Sequence, residues 1–157
     1  MVQMYTDGSA KGNPGPGGFG TILRYGRHEK ELSGGFRRTT NNRMELMAVI
    51  AGLEAMTKEG LDITIYTDSK YVCEAIEKRW IYGWMQKSFA GKKNADLWMR
   101  LMRSYARHKV KFIWIKGHAG HPENERCDAL AQATADLPNL PPDTGYENQQ
   151  QSGLGLD

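Results

Sequence analysis

At 157 residues the chain suits a single domain with a buried core. Hydrophobic residues make up 39% and charged residues 25%, ordinary values for a globular protein, and the net charge of +3 only hints at a polyanionic partner. Two cysteines, Cys73 and Cys127, cannot build a disulfide framework. No apolar run is long enough to cross a bilayer, and Met1 to Asp7 lacks the basic and apolar regions of a signal peptide. A cytoplasmic protein without membrane contact is therefore expected.

Val2 to Thr6 reads as a short strand, and Gly8 to Gly18, crowded with glycine and proline, as a loop. Phe19–Tyr25 and Lys30–Phe36 form a hairpin turning near Gly26. From Asn42 the apolar residues Leu46, Val49, Ile50, Leu53 and Met56 recur at helical spacing, which predicts a helix stopping at Gly60. Ile63–Thr67 is rich in β-branched and aromatic residues and reads as a strand. Helices follow from Ser69 and from about Asn94, the second carrying Leu97, Leu101 and Tyr105 on one side. Val110–Ile115 is the last strand and Glu123 to about Asp136 the last helix. After Pro138 little remains to bury, so the expected division is a domain over 1–137 and a mobile tail over 138–157. Strand–helix–strand connections favour parallel pairing, so the first, fourth and fifth strands should run parallel in a mixed α/β sheet.

Two strands end on one tripeptide, Tyr5-Thr6-Asp7 and Tyr66-Thr67-Asp68. Ligands of an open α/β sheet gather at the carboxyl ends of its parallel strands. If these strands are neighbours, two carboxylates meet there, and such a pair repels unless a cation lies between. Taken singly, Asp7 suits a turn with Gly8, and Asp68 or Ser69 suits a helix cap. Glu45 lies three residues after Asn42, as in a capping box, and Asp128 could be a solvated acid of a first helical turn.

His118 and His121 with Cys127 offer only three of the four ligands a structural zinc site wants. A histidine on this glycine-flanked loop is instead well placed for proton transfer. Gly15 to Gly20 matches a nucleotide-binding glycine pattern but leads into a strand, which removes the helix dipole that would hold phosphate. The segment from Lys78 through Trp80, Trp84, Lys87, Lys92 and Lys93 is basic, aromatic and free of acids, a combination that suits nucleic acid. Trp80 and Trp84, four residues apart on a helix, should be half buried with the lysines outward.

Four motifs follow one another along the chain: Thr6-Asp7-Gly8-Ser9 with Gly12 to Gly18, Thr39 to Leu46, Thr67-Asp68-Ser69, and Lys116 to Asp128. Together they resemble bacterial type 1 ribonuclease H over nearly all of the chain but the tail. The resemblance implies a ribonuclease H-like fold: a mixed five-stranded sheet, three antiparallel strands and then two parallel to the first, flanked by helices. It implies a catalytic set of Asp7, Glu45, Asp68 and Asp128 holding two Mg²⁺ or Mn²⁺ ions, with His118 assisting proton transfer or product release. It implies RNA–DNA hybrid as substrate, with 5′-phosphate and 3′-hydroxyl products and no sequence readout. Asn13, Asn41 and Asn42 would read the RNA strand, and Thr40 with the basic segment would hold the DNA strand's phosphates. Lys70 stands where that family often has glutamine, and the basic segment is short. A monomer is expected, and the sequence points to no protein partner. The rival readings are a junction nuclease of the same fold and a non-catalytic hybrid-binding module.

Overall fold

The computed structural model describes residues 1–117 and 120–151. Five strands, β1 (Val2–Ala10), β2 (Gly15–Tyr25), β3 (His28–Thr39), β4 (Asp62–Thr67) and β5 (Lys109–Trp114), form one sheet in the order β3-β2-β1-β4-β5. β1–β2 and β2–β3 are antiparallel, while β1–β4 and β4–β5 are parallel. This is the mixed sheet expected. The helices are α1 (Asn41–Glu54), α2 (Lys70–Glu77), α3 (Trp80–Gln86), α4 (Ala95–Tyr105), α5 (Pro122–Ala135) and α6 (Thr144–Gln151).

Alternation along β2 places α1 and α5 on opposite faces. Thr21 donates its hydroxyl proton to the Ala48 carbonyl of α1 at 2.6 Å, while Ile22 packs with Cys127 of α5. The main core lies on the α1 side, where Met4, Ile63 and Ile65 of the strands meet Leu46, Ile50, Leu53 and Trp98.

Several boundaries differ from the sequence reading. The glycine-rich stretch is largely strand: β1 runs on to Ala10 and β2 begins at Gly15. Its glycines serve close packing, since a Cβ at Gly18 or Gly20 would overlap the α5 carbonyl oxygens of Ala131 or Cys127. α1 ends at Glu54 rather than Gly60; Met56 still packs on the core, but from the loop. Its N-cap is Thr40, whose hydroxyl accepts from the Arg43 N–H at 3.2 Å, so the capping box at Asn42 does not form.

The C-terminal segment departs most from expectation. Residues after Pro138 dock on the domain through an Arg37 N–H to Pro141 carbonyl bond of 2.9 Å and through buried Asp143 and Tyr146, and then form α6. Long-range polar contacts hold this segment in place of an apolar stripe.

Candidate active site

The strand register sets the site. Tyr5 pairs with Tyr66 across the parallel ladder, so Asp7 and Asp68 occupy equivalent positions two residues further on. α1 brings Glu45 against them, because Gly8 lets β1 approach so closely that a Cβ there would overlap the Met44 backbone. One carboxylate oxygen from each of Asp7, Glu45 and Asp68 lies within 4.8 Å of the others. Asp128, on α5, lines the same cleft as Asp7 and Asp68 and accepts from Gln132 Nε2 at 2.9 Å. The four acids named from sequence therefore converge from four elements.

Their electrostatics follow from that convergence. Burial, then the charges of Asp68 and Asp128, push the Asp7 carboxyl up to about 8. Burial first, and Asp7 and Asp68 next, raise Glu45 well above the ordinary carboxylate range. Glu45 Oε1 is buried without a hydrogen-bond partner among the described residues. An orphaned buried oxygen among crowded hard-oxygen donors is the environment a divalent cation relieves, so the residues present fit such an ion.

The cleft around Asp7, Asp68 and Asp128 is completed by Lys116, Gly117, His121, Asn124 and Glu125. Sequence reading gave none of these five a role at the site. Trp114 was missed as well: its indole N–H donates to the Asp68 carbonyl at 3.1 Å and braces the end of β4. His118 lies outside the described residues. Cys127 is wholly buried, donates its thiol proton to the Tyr5 carbonyl at 3.2 Å and has its pKa pushed up to about 12, chiefly by burial.

The other named residues form a rim. Asn13 Oδ1 accepts from the Asn41 N–H at 2.9 Å, and Asn41 Oδ1 accepts from the Ala10 N–H at 2.6 Å. The two asparagines thus tie α1 to the end of β1 and to the β1–β2 loop through their oxygens, leaving their amide NH2 groups for a ligand. Asn42 is exposed at the start of α1, beside the N-cap Thr40. Lys70 opens α2 with its ammonium 5.1 Å from the centre of the Trp114 ring. Further out, Trp80 is 49% exposed, while Trp84 packs edge-on against Trp98 with centroids 5.6 Å apart. Lys92 Nζ lies 4.7 Å from the Trp84 ring centre, and Lys87 is exposed on the same segment as Lys92 and Lys93.

A family model described as RNase H matches residues 1–136. The chain belongs to the RNase H family. Ribonuclease H of Desulforamulus reducens is 57% identical over 147 residues, covering 90% of this chain and 92% of that protein. The solved structure of LC9-RNase H1, described as a type 1 RNase H with the type 2 active-site motif, is 30% identical with a TM-score of 0.77, covering 94% of this chain and 79% of its own. LC11-RNase H1, solved in complex with RNA/DNA hybrid, shares the fold at 23% identity and a TM-score of 0.66, covering 87% of this chain and 97% of its own. Membership of the RNase H family makes this chain a nuclease, and the acidic cleft lies inside the matched span.

Proposed function

We propose that the protein hydrolyses the RNA strand of RNA–DNA hybrids at the cleft of Asp7, Glu45, Asp68 and Asp128, with two Mg²⁺ ions as cofactor, or Mn²⁺ in their place. The observation that carries this reading is the convergence of four carboxylates, two with raised proton affinity, and an orphaned Glu45 oxygen inside an RNase H-family domain. Asp7, central among the acids, would help hold both ions; Asp128 would help hold the ion that activates the attacking water, and Glu45 with Asp68 the other. When bound, such ions supply an activated water and stabilise the leaving 3′ oxygen, leaving 5′-phosphate and 3′-hydroxyl ends.

The protein's own groups supply substrate choice. The amide NH2 groups of Asn13 and Asn41, with exposed Asn42, are suited to the 2′-hydroxyls and minor-groove edge of an RNA strand. Thr40, Lys70, Trp80, Trp84, Lys87, Lys92 and Lys93 would bind backbone phosphates and sugars on either side, without sequence readout. His118 would assist proton transfer or product release. A cytoplasmic monomer is part of the same proposal, supported by two buried free cysteines that suit a reducing compartment.

The test offers matched RNA–DNA hybrid, double-stranded RNA, DNA duplex and a DNA junction, with Mg²⁺ or with chelator. Metal-dependent cleavage of the RNA strand in the hybrid alone is expected; preference for the junction would sink the proposal. Hybrid binding without cleavage in every metal condition would favour a binding module instead. Neutralising Lys87, Lys92 and Lys93 together should lower the slope of log affinity against log salt by about 2 to 3. An unchanged slope in a salt titration would make that segment solvated surface.

A further inference from the structure

The parallel ladder between β1 and β4 ends at Tyr5↔Tyr66, just before the residues that carry Asp7 and Asp68. The two strands must part here to give the carboxylates room, which takes their facing backbone groups out of the ladder. The Asn124 side chain fills the opening. Its Nδ2 donates to the Thr6 carbonyl at 3.4 Å and to the Tyr66 carbonyl at 3.2 Å, so one amide spans both strands. Thr6 immediately precedes Asp7, and Tyr66 lies two residues before Asp68.

The helix carrying that amide adds the third constraint. Asn124 lies in the first turn of α5, and Asp128 follows four residues later on the same face. Both line the cleft. A polar residue in a first helical turn ordinarily accepts from free backbone N–H groups, but this one donates away from its own helix. Its Oδ1 is buried with no donor among the described residues, so the side chain is not held there by a local cap.

We infer that Asn124 is a positioning residue: it registers the ends of β1 and β4 and the first turn of α5 against one another, and so sets the separations of Asp7, Asp68 and Asp128. The inference rests on the reading of those carboxylates given under Proposed function. The Asn124 amide nitrogen is spent on the Thr6 and Tyr66 carbonyls and its oxygen is buried, so it acts through the backbone that carries the carboxylates, and metal affinity and turnover depend on that geometry.

The experiment measures Mn²⁺ binding by calorimetry and by the spin-resonance signal of free Mn²⁺, alongside hybrid KM, kcat and metal-free Tm. Alanine suits a helical turn, so Asn124→Ala should fold, with its amide spectrum as the check. It is expected to weaken Mn²⁺ binding and lower kcat each by about 10-fold or more, with hybrid KM within about 2-fold. Asn124→Gln, which retains the NH2 group, should recover part of both losses. Unchanged Mn²⁺ affinity in Asn124→Ala would overturn the inference, even if Tm fell, because that pattern is purely structural. Glutamine no better than alanine would overturn it too. Asp7→Asn tells the two proposals apart: loss of Mn²⁺ binding there identifies the cleft as the site measured. Retention of binding in that variant would sink the carboxylate reading and this inference with it, whereas an unresponsive Asn124→Ala on its own leaves the carboxylate reading standing.

Discussion

Asp7→Asn should lower cleavage of the hybrid by about 10³-fold or more while leaving hybrid affinity within about 3-fold. The same variant should raise the stability of the metal-free protein at pH 8. Both effects have one origin. Asp7 is largely buried and crowded by Asp68 and Asp128, and its carboxyl holds its proton up to about 8 against an ordinary value of 3.8. The folded state therefore binds a proton that the unfolded chain has already released. That contribution is fully present below the ordinary carboxylate range and is lost as pH rises from about 4 through about 8. Glu45 acts in the same direction. The metal-free protein should consequently lose stability between pH 5 and pH 8, and Mg²⁺ should restore it at the upper end. Asn at position 7 removes the repulsion, and because water reaches the cleft and screens part of it, a gain on the order of 1–3 kcal/mol is expected. Thermal melts in chelator at pH 5 and 8, with initial rates on labelled hybrid in Mg²⁺, read both effects. Undiminished turnover would remove Asp7 from the mechanism. A variant less stable than the parent at pH 8 without metal would mean that carboxylate repulsion does not govern the stability of the empty cleft.

The acids were legible because chemistry had been written into local sequence twice. Tyr5-Thr6-Asp7 and Tyr66-Thr67-Asp68 repeat because two parallel strands in register place their aspartates side by side, and the flanking motifs supply Glu45 and Asp128. Three points stayed open in the sequence, two of them because a distant element decides the outcome. Gly15 to Gly18 has the composition of a loop, yet pairs as strand, with α5 lying almost on the backbone of β2 at Gly18 and Gly20. Glu45 looked like a capping residue only until Thr40 proved to be the cap, which releases its side chain into the cleft. Asn124 carried one faint sequence signal, its position four residues before Asp128. Nothing local tells that its amide reaches two strands more than fifty residues away in sequence.

The C-terminal segment was hidden for the same reason, and it supports the largest stability effect expected in the molecule. Arg43 is 1% exposed and lies between two carboxylates. Its Nε and one terminal nitrogen donate to Asp143 at 2.8 and 2.9 Å, and its two terminal nitrogens donate to Asp96 at 2.8 and 2.7 Å. Burial would lower the pKa of the guanidinium, but the hydrogen bonds and charges of both carboxylates outweigh it and raise the pKa. Asp143 also accepts from the Thr39 hydroxyl at 2.7 Å and from the Tyr146 N–H at 3.3 Å, so a single carboxylate joins β3, α1 and the start of α6. Removing one partner of such a group leaves the remaining charge desolvated and underpaired, which costs about 3–5 kcal/mol. Asp143→Ala should therefore lower Tm by roughly 10 °C or more and loosen α6, read as loss of amide protection over Thr144–Gln151. Arg43→Met should cost a similar amount, since it strands Asp143 in place of itself. The two combined should cost clearly less than their sum, because the second substitution removes the charge that the first left unpaired. A cost below about 1 kcal/mol for Asp143→Ala would show that apolar packing of Tyr146, rather than this ion pair, anchors the segment.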